Sequence, residues 1–154
     1  MIVKTVQRPA LTLVGPQIRT KPMSGEIKAL WPKFVERIPE IENRSEPHVT
    51  YGVIRHEEGT ADTLDYMAAV PVSDPEDVPK GMKSTTLPAG TYAVFSFPFS
   101  GLQQGFHEIF ENALPSSNYV QADGPYFERY GESFDPDDPE SPVEVYLPVK
   151  RRTQ

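Results

Sequence analysis

The sequence predicts an α+β fold: a tandem of two strand-helix-strand-strand (βαββ) units, with antiparallel sheets covered by two main helices. Three observations predict it. Each half contains short runs rich in Val, Ile, Thr, Tyr and Phe, each contains one stretch with apolar residues at helical spacing, and the halves end alike, in Ala69-Val70-Pro71-Val72 and Tyr146-Leu147-Pro148-Val149. The 154 residues suit one domain with a real core. We read one unit over 1–154, with a first repeat at about 1–73 and a second at about 82–152. Identity between the halves is low, so the repeat is one of architecture. A concave face between two related halves is the natural place for a central ligand pocket.

In order, Val3 to Arg19 reads as one strand bent at Pro9 and at Gly15-Pro16. Ser24 is an N-cap for a helix in which Ile27, Leu30, Trp31, Phe34, Val35 and Ile38 form the apolar face, with a kink or restart at Pro32. His48 to His56 and Thr63 to Val72 read as a hairpin joined by Glu57-Glu58-Gly59-Thr60. The acidic, proline-bearing Ser73 to Gly81 is a surface linker. Lys83 to Phe99 reads as one long strand, and Ser100 with Gln103 as a capping box ahead of Leu102, Phe106, Ile109, Phe110 and Ala113. Tyr126 to Ser133 and Val143 to Arg151 complete the second unit.

Composition excludes several functions. The absence of cysteine removes disulfides, thiolate metal sites and a Cys nucleophile, and fits a cytoplasmic location. A net charge of -7 disfavours direct nucleic-acid binding, since the basic cluster Lys150-Arg151-Arg152 is confined to the C-terminal end. No apolar run reaches the length of a membrane span, and the N-terminal residues lack a signal-peptide pattern. An acidic surface serves solubility first, and it also concentrates organic cations. His48, His56 and His107 have no metal-ligand spacing, and no glycine-rich phosphate loop or GxSxG elbow occurs. Asp135-Pro136-Asp137-Asp138-Pro139-Glu140 reads as a solvated hairpin loop. No metal, cofactor or catalytic residue is assigned.

The chemistry-bearing residues are carboxylates among aromatics. Strand alternation puts Glu144, Tyr146 and Pro148 on one face and Val143, Val145, Leu147 and Val149 on the other. The valine face is core, so Glu144 and Tyr146 look toward solvent or a cavity. Tyr126, Glu128 and Tyr130 share a face of the preceding strand, and pairing across the last hairpin would place Glu128 and Glu144 on one edge with three tyrosines. Phe95, Phe97 and Phe99 alternate on one face of their strand and read first as core, with Tyr92 opposite. Trp31, the one tryptophan, is half core and half cavity wall, its indole N–H requiring a partner. A box of aromatic rings with one acid is what a lipophilic cation requires: each cation-π contact is worth about 0.5 to 2 kcal/mol, and the acid selects for charge.

The segments Ala89-Gly90-Thr91-Tyr92-Ala93-Val94-Phe95, Gly101, Leu114-Pro115-Ser116-Ser117, Gly124-Pro125-Tyr126-Phe127-Glu128-Arg129-Tyr130 and Glu144-Val145-Tyr146-Leu147-Pro148-Val149 together resemble the gyrase-inhibitory-protein-like domain. The same domain is the effector-binding part of AraC-type regulators and of multidrug-sensing MerR-type regulators. The resemblance implies a duplicated βαββ fold with a pseudo-two-fold axis and an aromatic pocket for amphipathic, often cationic compounds. It also implies that an acid on the last strand, here Glu144, meets the ligand's charge. The chain has no room for a helix-turn-helix unit, so it resembles the stand-alone members, including those on integron cassettes. The expected function is a binding module for lipophilic organic cations, lined by Glu144, Tyr146, Trp31, Tyr66, Tyr92, Phe95, Phe97, Tyr126, Glu128 and Tyr130. A separate DNA-binding regulator chain or DNA gyrase are the expected protein partners. Two alternatives stand beside it: a hydrolase of strained toxic small molecules using Glu144 or Glu128 as general base, and a gyrase-inhibitor-type protein-binding factor acting through its acidic surface.

Overall fold

A computed structural model describes residues 3–22, 24–56 and 62–153. The expected turn Glu57-Glu58-Gly59-Thr60 lies outside the described residues. Within them the chain forms β1 (Lys4–Arg8), β2 (Leu11–Gly15), β3 (Gln17–Thr20), α1 (Gly25–Arg37), β4 (Thr50–Arg55), β5 (Leu64–Pro71), β6 (Lys83–Leu87), β7 (Gly90–Pro98), α2 (Leu102–Glu108), β8 (Tyr119–Gln121), β9 (Tyr126–Tyr130) and β10 (Pro142–Arg151). The fold is α+β, two helices on a large antiparallel sheet in the order β1-β7-β10-β9-β4-β5-β2-β6, with β3 also on β5 and β8 on β10.

Two sequence expectations are corrected here. The strand expected over Val3 to Arg19 is three strands, and that over Lys83 to Phe99 is two. In each case a proline ends the ladder: Pro9-Ala10 separates β1 from β2, and Pro88-Ala89 separates β6 from β7. These joints shape the whole sheet. β1 lies at one end of the strand order and β2 near the other, yet two residues link them, and two residues likewise link β6 to β7. Three Cα steps span at most about 11 Å. The sheet therefore curls until its ends lie side by side. The curl encloses a cluster drawn from both ends and the middle: Leu13, Tyr51, Val53, Met67, Leu87, Tyr92, Phe127 and Tyr146.

The other face carries the helices. The Ser24 hydroxyl accepts from the Glu26 N–H at 2.9 Å, the expected cap, and α1 continues through Pro32. Ile27, Leu30, Trp31, Phe34 and Ile38 pack onto the sheet, whereas Val35 is turned to solvent, contrary to the expected face. The capping box expected at Ser100 is absent. Phe99–Gly101 form a 3-10 turn whose N–H groups at Phe99 and Ser100 donate to the carbonyls of Ser141 and Pro139, and α2 starts after Gly101 without a side-chain cap. α2 runs on into a π-turn at Ile109–Ala113.

At the bend between β2 and β3 the β5 backbone comes so close that a Cβ on Gly15 would land on the Ala68 carbonyl oxygen. Backbone cannot retreat as a side-chain tip can. Gly15→Ala is expected to cost about 3 kcal/mol, read as a lower denaturant midpoint at unchanged slope.

Candidate functional site

β4 and β9 pair at the middle of the sheet, with Gly52 opposite Glu128 and Ile54 opposite Tyr126. α1 packs over β3 and β5 on one side of this pair, and α2 over β7 on the other. The helices thus leave the β4–β9 centre as a floor between them. Alternation along β9 points Tyr126, Glu128 and Tyr130 up from that floor. Tyr66 joins them from β5, because its pairing with Ile54 puts it on the same face.

Glu128 is 5% exposed. Its Oε1 accepts from the Tyr66 hydroxyl at 2.8 Å and from the Tyr130 hydroxyl at 2.8 Å, while the Trp31 indole N–H donates to the Tyr66 oxygen at 3.0 Å. Trp31 also meets Tyr130 edge-on at 5.4 Å and Tyr66 at 6.4 Å. Both hydroxyls go to one carboxylate oxygen. Oε2 takes no hydrogen bond from any described residue.

No described cation neutralises Glu128, so burial raises its carboxyl to about 7, and the hydrogen bonds from Tyr66 and Tyr130 offset only part of that rise. Tyr66 and Tyr130 are pushed well above the ordinary tyrosine range, first by burial and then by the adjacent carboxylate. A buried acid with two phenolic donors and no counter-charge can do two things: take a cation, or exchange a proton near neutral pH.

The aromatic rim extends both ways from Glu128. At the Tyr130 end, Phe134 stands 4.7 Å from Tyr130, and Phe99, in the turn before α2, stands 6.4 Å from it. Toward α2, Tyr126 packs against Phe106 and Phe110 at 5.9 and 5.7 Å, and its hydroxyl lies 2.7 Å from Nε2 of His56. The rings close over Glu128. A groove of about 490 Å³ between Arg19, Lys21, Ser24, Glu26 and Thr63 lies elsewhere, at the start of α1, and contains none of these groups.

Of the residues expected from sequence, Trp31, Tyr66, Tyr126, Glu128 and Tyr130 are brought together. Phe95 and Phe97 face the same side but stack on each other under α2, with β10 between them and β9; Gly105 of α2 lies so near that a Cβ there would be 2.6 Å from the Phe97 ring. Glu144, Tyr146 and Tyr92 are on the opposite face. The register pairs Val145 with Glu128 and Glu144 with Arg129, so the expected edge holding both acids does not form.

The opposite face has its own reason for looking like a cation box. Glu144 is paired with Arg129 at 3.0 Å, and Arg129 also approaches Glu46 at 3.6 Å. Tyr146 stacks on Phe127 at 4.9 Å, and the Arg8 guanidinium lies over both rings, 4.6 Å from Tyr146 and 5.4 Å from Phe127. Tyr92 meets Phe127 edge-on, its hydroxyl donating to the Pro88 carbonyl. The chain's own arginines satisfy these acids and rings. Sequence reading missed Gly52, Phe106, Phe110 and Phe134 as parts of the Glu128 site. For Gly52 a signal existed: a lone glycine inside a strand pattern marks close approach.

This chain matches the family model of the GyrI-like small molecule binding domain over residues 1–150. It is 31% identical over 152 residues to the transcriptional regulator BrlR of Pseudomonas aeruginosa, a match covering 97% of this chain and 56% of that protein. The chain therefore spans little more than half the length of that relative. Among solved structures it resembles SAV2435 bound to tetraphenylphosphonium, with a TM-score of 0.77 and 22% identity over 97% of this chain and 94% of the other. It also resembles an integron cassette protein from the mobile metagenome of Vibrio cholerae, with a TM-score of 0.70 and 19% identity over 96% and 95%. A curled antiparallel sheet, two helices flanking an aromatic floor and a family match across nearly every residue agree: the chain belongs to the GyrI-like family of small-molecule-binding domains.

Proposed function

We propose that this protein binds lipophilic organic cations between α1 and α2, with Glu128 in the role that sequence reading gave to Glu144. The observation that carries the reading is the Glu128 carboxylate itself, enclosed by Tyr66, Tyr130 and Trp31, held at Oε1 and without a hydrogen bond from any described residue at Oε2. An incoming cation supplies the missing counter-charge, and the rings supply flat polarisable walls. Tyr126 with Phe106 and Phe110 extends the wall toward α2. The likeness to a protein solved with tetraphenylphosphonium supports this ligand class, and the likeness to BrlR supports a place in transcriptional regulation, through a DNA-binding unit that reads the bound state.

A calorimetric titration with tetraphenylphosphonium and with the uncharged triphenylphosphine oxide tests the reading. The cation is expected to bind at least about thirtyfold more tightly, since desolvated charge pairing adds 2 kcal/mol or more. Equal affinities would remove the role of Glu128. A second reading, hydrolysis with Glu128 as general base on water, is favoured by one observation: the carboxyl is poised near 7. Product formation from a bound electrophile would separate it from simple binding.

A further inference from the structure

We propose that Gly52 sets the charge selectivity of this site: its lack of a side chain is the space through which the Tyr66 hydroxyl reaches Oε1 of Glu128 and fixes which carboxylate oxygen faces a ligand. The inference rests on the cation-binding reading and adds a positioning residue to it.

The geometry is specific to this strand position. Gly52 lies on β4 directly opposite Glu128 on β9 and opposite Ala68 on β5. A Cβ built on Gly52 would run into the Tyr66 hydroxyl, would stand 2.5 Å from Oε1 of Glu128 and 2.8 Å from Cζ of Tyr66. It would therefore occupy the place where phenol and carboxylate now meet. Gly52 has no positive-φ conformation to explain it, since among the described residues only Asn43, Gly81 and Gly124 have positive φ. Close approach is the remaining physical reason for a residue without a side chain in the middle of a buried strand.

Moving the Tyr66 hydroxyl has two consequences. Glu128 loses one of the two donors that favour its charged form, the other groups facing it being Tyr130 and Tyr126 from β9, with Trp31 from α1 acting through Tyr66. The carboxylate also loses the anchor that presents Oε2. Both effects weaken attraction for a cation and leave a neutral ligand of the same shape almost untouched.

The test is ligand-free titration of the Glu128 carboxyl carbon by NMR, alongside calorimetry with tetraphenylphosphonium and triphenylphosphine oxide, on wild type, Gly52→Ala, Tyr66→Leu and the double variant. In Gly52→Ala the Glu128 midpoint is expected to rise by about half a pH unit or more, and the cation affinity to fall about tenfold with the neutral affinity within about twofold. Tyr66→Leu removes the hydroxyl and ring that the new methyl would strike, and frees the carboxylate tip to turn. The double variant is therefore expected to match Tyr66→Leu in midpoint and in thermal stability, also where Gly52→Ala alone fails to fold. An unchanged midpoint in folded Gly52→Ala, or a double variant as damaged as the sum of the singles, overturns the proposal. A raised midpoint in Gly52→Ala with no cation preference in the wild type would overturn the binding reading and the charge selectivity with it, and leave only the placement of the Tyr66 hydroxyl by Gly52 standing.

Discussion

Replacing Glu128 by Gln is expected to weaken tetraphenylphosphonium binding by about a hundredfold or more, while Glu144→Gln stays within about threefold of wild type. Truncating one partner of a buried charge pair costs about 3 to 5 kcal/mol, because the other charge is left desolvated and uncompensated. Gln keeps the size of the side chain and an oxygen that accepts from Tyr66 and Tyr130, so the floor of the site survives the change. Glu144 is 38% exposed, already paired with Arg129 and on the other side of the sheet. Its loss is a surface change of at most about 1 kcal/mol. Competition binding with both variants reads the contrast directly.

The second large effect is on pH dependence. The Glu128 carboxyl stands near 7 in the folded chain against 4.5 for its ordinary value, raised chiefly by burial. Between those values the folded state holds more protons than the unfolded state, so this group makes the ligand-free protein lose stability as pH rises from about 4.5 through 7. The full shift corresponds to at most about 3 kcal/mol. Glu128→Gln is expected to abolish that fall, and to be the more stable protein at pH 8 in denaturant titrations. Affinity for a permanently charged cation runs the other way. Only ionised Glu128 pairs with it, so affinity is expected to drop about a hundredfold from pH 8 to pH 5, and to be nearly flat in the Gln variant.

Both predictions rest on a residue that the sequence singled out for the wrong partner set. Alternation within β9 and within β10 was readable, and the grouping of Tyr126, Glu128 and Tyr130 was right. What alternation cannot supply is register. A slip of one residue between two strands moves every side chain to the other face, and the actual pairing of Val145 with Glu128 sends Glu144 and Tyr146 to the inner side of the curl. The aromatic-and-acid pattern there was real, but Arg8, distant in sequence, fills it. The helix at Ser24 and the β4–β5 hairpin were legible because their signals are local: a cap, a 3.6-residue period, and two short β-prone runs. The splits at Pro9 and Pro88 were not, since a proline allows a bend within a strand as readily as a switch between strands, and only the sheet's closure on itself decides between them. Ser100 misled for a similar reason. Its N–H is committed to the Pro139 carbonyl, a contact made by a loop nearly forty residues away, and the turn it belongs to replaces a capped start.

The most direct measurement is the number of protons released when tetraphenylphosphonium binds at pH 6, obtained by calorimetry in two buffers of different ionisation enthalpy. A carboxyl near 7 is about nine-tenths protonated at that pH, and a cation seated on it must expel that proton. Close to one proton is expected to be released per cation bound by wild type, and none by Glu128→Gln. Binding without proton release in the wild type would show that the cation sits away from Glu128, and would contradict the site described above.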